Sequence, residues 1–286
     1  MVVGVGGGVV TKLSVRTPPR HRIGLSTDTT RPWDPSPGGQ SPTTRRLPST
    51  AVKAVIFDVD GTLVDSERDG HRVAFNLSFE EHGLPYQWDV EPYGQLLETT
   101  GGQQRIDRYL EGEGMAEDER HELVPRLHAR KNELFRELVA GGRVTPRPGV
   151  ERLLDELDEA GIGLAVATTG SRAWVEPLLE RLFGGARFSP VITGDDVEVR
   201  KPDPSAYLLA LDGLGLAAGH VLAVEDSANG LVAARAAELA CVVVLNDYTA
   251  DHDVDGATLV VDTFEQLDVA ALRSARRANP GLVPPY

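Results

Sequence analysis

The chain has 286 residues, of which 41% are hydrophobic and 25% charged, and its 43 acidic and 29 basic residues give a formal net charge of −14. A chain of this length can bury a substantial core, and its acidity argues against nucleic acid or an anionic membrane surface as the main partner. The single cysteine, Cys241, excludes a disulfide framework and a cysteine-based zinc site, and no apolar run reaches the ~18–20 residues that span a bilayer.

The N-terminal segment differs in charge from the rest of the chain. Residues 1–52 hold seven basic and two acidic residues, a net charge of +5, so the remaining 234 residues hold 22 basic and 41 acidic residues, a net charge of −19. The segment is rich in Gly, Pro, Ser and Thr and has no sustained apolar period, so burial cannot offset its ordering entropy. We therefore expect residues 1–51 to form a disordered leader. It is either an organelle transit peptide, which would place the protein in a plastid, or a spurious extension of a cytoplasmic protein.

The folded part begins with a strand and continues with helices. Val52–Phe57 is a short apolar run, which predicts a buried parallel strand. From about residue 65 to residue 142 no strand pattern occurs, and the spacing of apolar residues predicts helices over Arg72–His82, Gln103–Gly112 and Asp118–Ala140.

Beyond Pro146 and Pro148, helices and strands alternate. The predicted helices are Val150–Ala160, Ala173–Leu182, Pro204–Leu214 and Ala228–Leu239. The predicted strands are Gly163–Ala167, Val191–Ile192, Val221–Val224, Cys241–Leu245 and Thr258–Val261. This alternation predicts an α/β fold with a Rossmann-like, doubly wound parallel sheet. We expect a core of residues 52–66 and 143–275, an inserted α-helical cap of residues 67–142, and a tail of residues 276–286.

The candidate site residues come after the predicted strands, at the strand ends where functional groups gather in doubly wound sheets. They are Asp58, Asp60, Thr168, Thr169, Lys201, Glu225 and Asp226. Four carboxylates in one crevice cannot all stay ionised without a cation, because like charges raise one another's pKa. Oxygen ligands that face a phosphate suit Mg²⁺ better than zinc.

Each of these residues also has a purely structural interpretation. Asp60-Gly61 is a common turn pair, Thr168 suits a strand end, Lys201 suits an exposed loop, and Asp226 is a good helix N-cap. Their joint occurrence in this order, each after an apolar strand, favours a catalytic site instead.

In this order the residues resemble the motifs of the haloacid dehalogenase (HAD) superfamily of phosphatases, over roughly residues 52–272. The four motifs correspond to Asp58-Val59-Asp60-Gly61-Thr62, to Thr168, to Lys201 within Arg-Lys-Pro-Asp-Pro, and to Glu225-Asp226. The helical segment resembles the first cap type of that superfamily. The resemblance implies a phosphoric monoester hydrolase with a HAD core and an inserted helical cap.

The resemblance also implies a role for each motif residue. Asp58 would be the nucleophile that forms an aspartyl-phosphate, and Asp60 would protonate the leaving alcohol and then activate water. Thr168 and Lys201 would hold the phosphoryl oxygens. The metal ligands for Mg²⁺ would be Asp58, Asp60 through its backbone carbonyl, Glu225 and Asp226.

The cap most resembles the CbbY group, whose members dephosphorylate xylulose-1,5-bisphosphate. The stretches that carry this resemblance are 67–76, 99–105 and 165–169. The implied substrate-binding residues are Asp65, His71, Thr100, Gly101, Gly102, Arg105, Thr169 and Lys201. The Arg105 guanidinium suits a second, non-reacting phosphate, although it could be a surface arginine. His71 either orients the substrate or Asp60, or simply packs within its helix.

The expected partner is a small phosphorylated sugar, with no nucleic acid and no membrane, and we expect a monomer. Two alternative enzymes share these motifs: a β-phosphoglucomutase, which passes the phosphoryl group to a sugar phosphate, and a phosphoglycolate phosphatase. A catalytically idle HAD-like binding protein is a third alternative, which the intact set of motif residues argues against.

Overall fold

The computed structural model describes residues 51–99 and 101–278. Residues 1–50 of the predicted leader, Thr100 and residues 279–286 of the predicted tail lie outside the described residues. The expectations of a disordered leader and of a role for Thr100 in substrate binding therefore stay predictions.

A six-stranded parallel sheet forms the centre of the described fold. Its strands are β1 (Ala54–Phe57), β2 (Gly163–Ala167), β3 (Val191–Ile192), β4 (Val221–Glu225), β5 (Ala240–Val244) and β6 (Leu259–Val261). Their order in the sheet is β3-β2-β1-β4-β5-β6, with every neighbouring pair parallel. The chain starts in the middle and winds outwards in both directions, which confirms the predicted doubly wound α/β fold.

The central strand is apolar throughout because both faces of the sheet are covered. Ala54 and Ile56 pack in one hydrophobic cluster, whereas Val55 and Phe57 pack in the cluster on the other face, and all four side chains are fully buried. Successive side chains of a strand point to opposite faces, so a strand buried on both faces shows no alternation of polar and apolar residues. A short, continuous apolar run was therefore the correct signal for β1.

Helices cover the sheet and form the cap. In chain order they are α1 (Arg72–Glu81), α2 (Val90–Leu96), α3 (Gly102–Gly112), α4 (Glu117–Ala140), α5 (Val150–Glu159), α6 (Arg172–Phe183), α7 (Ser205–Leu214), α8 (Ala228–Ala236) and α9 (Val269–Ala278). A π-helical turn (Glu67–His71) precedes α1, and 3₁₀ turns lie at Ala218–His220 and Phe264–Gln266. None of the described helices is both long and apolar enough to cross a membrane.

Several elements differ from the sequence prediction. The predicted helix Ala228–Leu239 ends at Ala236, because Glu238 adopts a left-handed conformation with φ 60°, which cannot continue a right-handed helix. Helix α2 was not predicted, since Pro92 and Gly94 interrupt its apolar pattern. The π-helical turn and α9 were also missed, and the other predicted boundaries differ by two residues or fewer.

The cap has a hydrophobic cluster of its own, rich in aromatic residues. Phe75, Phe79, Trp88 and Tyr93 are buried together with apolar residues of α3 and α4. The ring centroids of Phe75 and Trp88 lie 4.8 Å apart, and those of Phe79 and Trp88 lie 4.9 Å apart. Aromatic rings at these distances add to the stability that area burial supplies. The cap therefore has a hydrophobic core of its own.

Two leucines test the assignment of the covered sheet face. Leu153 on α5 is fully buried, whereas Leu208 on α7 is 49% exposed. We expect Leu153→Ala to lower the free energy of unfolding by about 2–5 kcal/mol, since it leaves a cavity in the core. The same change at Leu208 should alter it by less than about 0.5 kcal/mol. Urea unfolding followed by circular dichroism measures both, and equal losses would contradict the placement of α5.

Candidate active site

Three adjacent strands bring the predicted catalytic residues to one edge of the sheet. Phe57 of β1 is paired with Val166 of β2 and with Val224 of β4, so the three strands end at nearly the same level. The next residues along the chain are Asp58 after β1 and Thr168 after β2, while Glu225 closes β4. The backbone N–H of Asp58 donates to the carbonyl of Val224 at 3.0 Å, which holds Asp58 against β4.

Lys201 is buried between two of the carboxylates. Its Nζ donates to Asp58 Oδ1 at 2.7 Å, to Glu225 Oε1 at 2.5 Å and to the Ala167 carbonyl oxygen at 2.7 Å. Burial alone would lower the pKa of Lys201, but the charges of Asp58 and Glu225 outweigh it and raise the pKa above its usual value. Lys201 is therefore a permanently charged ammonium group that faces the predicted nucleophile.

Three carboxylates form a cluster that suits a hard divalent cation. One oxygen each of Asp58, Glu225 and Asp226 lie within 4.8 Å of one another, and all three residues are buried. Burial and the charge of Glu225 raise the pKa of Asp226 to about 7, and burial likewise raises the pKa of Asp58 although Lys201 opposes it. If all three carboxylates are ionised, they exceed the one positive charge of Lys201 by two, and the raised pKa values of Asp58 and Asp226 reflect the cost of this surplus. Oxygen donors with this surplus fit Mg²⁺.

The Asp60 side chain lies apart from this cluster. Its Oδ1 accepts a short hydrogen bond from the Ser66 hydroxyl, and the same oxygen lies 3.9 Å from His71 Nε2. Burial raises the pKa of Asp60 to about 7, even though the bond from Ser66 lowers it. A carboxyl group with this pKa is able both to give and to accept a proton near neutral pH. Participation of Asp60 in metal binding through its backbone carbonyl stays a prediction.

His71 connects Asp60 to a lysine of the cap. Lys131 Nζ donates to His71 Nδ1 at 2.9 Å, and the His71 ring stacks on Phe135 with centroids 3.8 Å apart. Because an ammonium group can only donate, the proton of a neutral His71 must reside on Nε2, the atom that faces Asp60. Burial and the charge of Lys131 lower the pKa of His71 well below its usual value, so the ring is neutral. Burial also lowers the pKa of Lys131 to about 8.

The two predicted threonines lie in the turn between β2 and α6. Thr168 is fully buried, and its Oγ1 accepts a hydrogen bond from the Gly170 N–H at 3.1 Å. A hydroxyl that accepts from the backbone still has its own proton to donate. Thr169 is half-buried in the same turn. Binding of phosphoryl oxygens by either residue stays a prediction.

Arg105 is deeply buried in the cap and is therefore not a surface arginine, which was the alternative interpretation of its sequence position. It is 8% exposed, and its guanidinium donates to the Leu96 carbonyl at 3.0 Å and to the Tyr93 hydroxyl at 3.1 Å. The Tyr93 hydroxyl in turn donates to Glu67 Oε2 at 2.6 Å. Arg105 thus joins α2, α3 and the π-helical turn, and its proposed contact with a second phosphate stays a prediction.

Other predicted substrate-binding residues line two cavities at the boundary of cap and core. Asp65, with Asp60 and Asp226, lies in the wall of a cavity of about 700 Å³ next to α2. Gly101 and Gly102 at the start of α3 line a second cavity of about 980 Å³, which the core loop reaches with Arg200. These residues therefore do not all surround a single cavity, and substrate binding by them stays a prediction.

Three further residues contact the predicted catalytic and metal-binding side chains without belonging to a motif. Besides Ser66, the Tyr207 hydroxyl donates to Glu225 Oε1 at 2.5 Å, and Asn246 Nδ2 donates to Asp226 Oδ2 at 2.7 Å. Ser66 directly precedes the π-helical turn and Tyr207 lies in a helix, and the sequence has no signal for such contacts at these positions. Asn246 does have one, because it lies two residues beyond β5 at the functional edge of the sheet.

Comparisons with known proteins identify the family of the chain. The profile of the haloacid dehalogenase-like hydrolases matches residues 52–238. Protein CbbY of Rhodobacter capsulatus is 42% identical, over 72% of this chain and 91% of that protein. Phosphoglycolate phosphatase of Yersinia pseudotuberculosis is 34% identical, over 69% of this chain and 83% of that protein. A crystal structure of mutant CbbY from Rhodobacter sphaeroides with xylulose-(1,5)bisphosphate is 39% identical, with a TM-score of 0.65 over 77% of this chain and 99% of that one.

Three observations lead to one assignment. The fold is a parallel sheet with a helical cap, the four motifs meet at the edge of this sheet, and the family profile matches most of the described chain. The chain belongs to the haloacid dehalogenase-like hydrolases, as a phosphatase that resembles the CbbY group.

Proposed function

We propose that the chain is a Mg²⁺-dependent phosphatase of sugar bisphosphates that works through an aspartyl-phosphate on Asp58, with xylulose-1,5-bisphosphate as its substrate. The observation that carries the proposal is the separation of the two motif aspartates. Asp58 lies in the carboxylate cluster beside Lys201, whereas the Asp60 carboxyl is held by Ser66 and lies near His71. One group is placed as a nucleophile and the other as an acid and base.

In the first step a carboxylate oxygen of Asp58 attacks phosphorus, and the bond from phosphorus to the sugar oxygen breaks. Asp60 in its protonated form donates its proton to that oxygen, so the sugar leaves as an alcohol. Lys201, which is charged, offsets the negative charge on the transferring phosphoryl oxygens. Mg²⁺ held by Asp58, Glu225 and Asp226 would supply further charge stabilisation of the phosphoryl group.

In the second step water attacks the phosphorus of the aspartyl-phosphate. Asp60, now a carboxylate, takes a proton from that water, and the bond between phosphorus and the Asp58 oxygen breaks. Inorganic phosphate leaves, and both aspartates return to their initial states. In both steps the Nε2–H of neutral His71 faces the Asp60 carboxyl group, with Nε2 3.9 Å from Oδ1.

The proposed preference for a bisphosphate rests on two buried cations of the cap. The Arg105 guanidinium and Lys131 Nζ lie 5.9 Å and 4.7 Å from the centroid of the same ring, that of Phe75. Both side chains are more than nine-tenths buried, and neither forms a salt bridge with a carboxylate of the described residues, so a second phosphate suits this surface. The bisphosphate bound by the CbbY relative supports this choice.

A substrate panel tests the function. We expect Mg²⁺-dependent phosphate release from xylulose-1,5-bisphosphate to exceed that from phosphoglycolate, and Asp58→Asn should abolish it because an amide is not a nucleophile. Asp212→Asn, an exposed change on α7, is the matched control and should keep full activity. Conversion of β-glucose 1-phosphate to glucose 6-phosphate without phosphate release would instead establish the mutase alternative.

The role of Asp60 predicts a difference between leaving groups. From p-nitrophenyl phosphate the p-nitrophenolate ion leaves without needing a proton, whereas the alkoxide that leaves from a sugar phosphate needs one. We therefore expect Asp60→Asn to give a burst of about one p-nitrophenol per enzyme, after which hydrolysis of the aspartyl-phosphate stalls, and no burst with the sugar phosphate. Rapid-quench kinetics measures both. Unimpaired steady turnover of the sugar phosphate would rule out Asp60 as the acid.

The role of Arg105 predicts a change in substrate preference. We expect Arg105→Ala to lower kcat/KM about 10–100-fold more for the bisphosphate than for a monophosphate, the equivalent of one charged hydrogen bond. Because Arg105 also joins cap helices, circular dichroism must first show that the variant is folded. An equal loss for the two substrates would mean that Arg105 only supports the cap.

A further inference from the structure

Asn246 uses every hydrogen-bonding group of its side chain at the edge of the carboxylate cluster. Its Oδ1 accepts from the Tyr248 N–H at 2.9 Å, and its Nδ2 donates to Asp226 Oδ2 at 2.7 Å and to the Gly61 carbonyl at 3.2 Å. The donor on Tyr248 determines which end of the amide is the oxygen, so the nitrogen must face Asp226. The orientation of this amide is therefore determined by its surroundings.

Asp226 is thereby held at both of its oxygens. Thr62 Oγ1 donates to Asp226 Oδ1 at 3.2 Å, opposite the bond from Asn246 to Oδ2. Gly61 lies directly against the same carboxylate, since a Cβ at that position would come within 2.3 Å of Oδ2. The turn that follows Asp58 and the carboxylate after β4 thus meet in direct contact, with Asn246 bonded to both.

Arg147 holds the other side of this contact. Its Nη1 donates to the Gly61 carbonyl at 2.6 Å, and its guanidinium also donates to the carbonyls of Val244 and Leu245, at 3.2 Å and 2.5 Å. These carbonyls lie at the end of β5, from which the loop with Asn246 begins. Arg147 therefore connects the Gly61 turn to the base of the Asn246 loop, and its hydrogen bonds to described residues do not include Asp226.

We propose that Asn246 is a positioning residue for the divalent cation: it fixes the Asp226 carboxylate in a binding orientation before the cation arrives, while Arg147 keeps the Gly61 turn and the β5 loop in register. This inference rests on the proposed function, because it assigns Asp226 to the metal. Loss of a hydrogen-bond partner that orients a metal ligand typically weakens metal binding about 10- to 100-fold, and we expect an effect of this size for Asn246.

Titration with Mg²⁺ tests the proposal on the full chain after removal of metal. We expect isothermal titration calorimetry to show a Kd for Mg²⁺ about 10–100-fold higher in Asn246→Ala than in the wild type. The rise in Tm on addition of Mg²⁺ should shrink in parallel. At saturating Mg²⁺, kcat should return to within a few-fold of the wild-type value, and KM for the sugar bisphosphate should not change.

Two further variants separate metal positioning from support of the loop. In Asn246→Ser the hydroxyl still accepts from the Tyr248 N–H, as serine does in such turns, but it is too short to replace the bond to Asp226. It should weaken Mg²⁺ binding as Asn246→Ala does. Thr249→Val removes the acceptor of the Asn246 backbone N–H, at 3.1 Å, and should leave the Kd for Mg²⁺ unchanged.

The outcomes that overturn the inference are distinct from failure of the proposed function. Wild-type Mg²⁺ affinity in Asn246→Ala or Asn246→Ser would show that the amide does not position Asp226. Equal weakening by Thr249→Val would show that only loop conformation matters. If the wild type itself bound no Mg²⁺, the proposed function would be wrong, and the role of Asn246 would be wrong with it.

Discussion

The buried contact of Lys201 with Asp58 and Glu225 is the interaction on which the rest of the site depends. Lys201 Nζ also reaches the Ala167 carbonyl, so one ammonium group connects the ends of β1, β2 and β4. Removing one partner of such a buried ion pair characteristically costs about 3–5 kcal/mol, since it leaves an unpaired charge. Well-packed apolar residues at these positions would stabilise the fold equally well, so the chemistry of the site explains the buried charges better than stability does.

The sheet explains why the catalytic core was predictable from the sequence. Neighbouring parallel strands in this sheet end at the same level. The residues that directly follow them therefore lie close together, independently of the length and structure of the segments that connect the strands. Asp58, Thr168, Glu225 and Asp226 were found in this way. Ser66 and Tyr207 were not, because their contacts depend on the reach of side chains from the start of the π-helical turn and from α7. Asn246 obeys the strand-end rule and was missed only because no charge or motif marks it.

The cap was predicted less completely, for reasons that lie in its local geometry. Each hydrogen bond of a π-helical turn spans one more residue than in an α-helix, so a search for a period of 3.6 residues cannot detect such a turn. This turn immediately precedes α1 and ends at His71, whose ring stacks on Phe135. The burial of Arg105 and Lys131 was also hidden, because basic residues on helices usually lie at the surface. Their positions over the Phe75 ring follow from the aromatic cluster, which only the packed structure reveals.

The core contributes a cluster of carboxylates and the cap contributes buried basic residues, so the two carry opposite charges. This distribution of charge links the binding of the proposed metal to the binding of the proposed substrate. When its three carboxylates are all ionised, the cluster exceeds the charge of Lys201 by two negative charges, and a phosphate monoester itself carries about −1.5 to −2 at neutral pH. On the proposed function, the core alone would therefore repel its substrate. A divalent cation would cancel the surplus and remove this repulsion. The requirement for a divalent cation and the preference for a phosphate would then be one electrostatic constraint, which requires the cation to be bound before or together with the phosphoryl group.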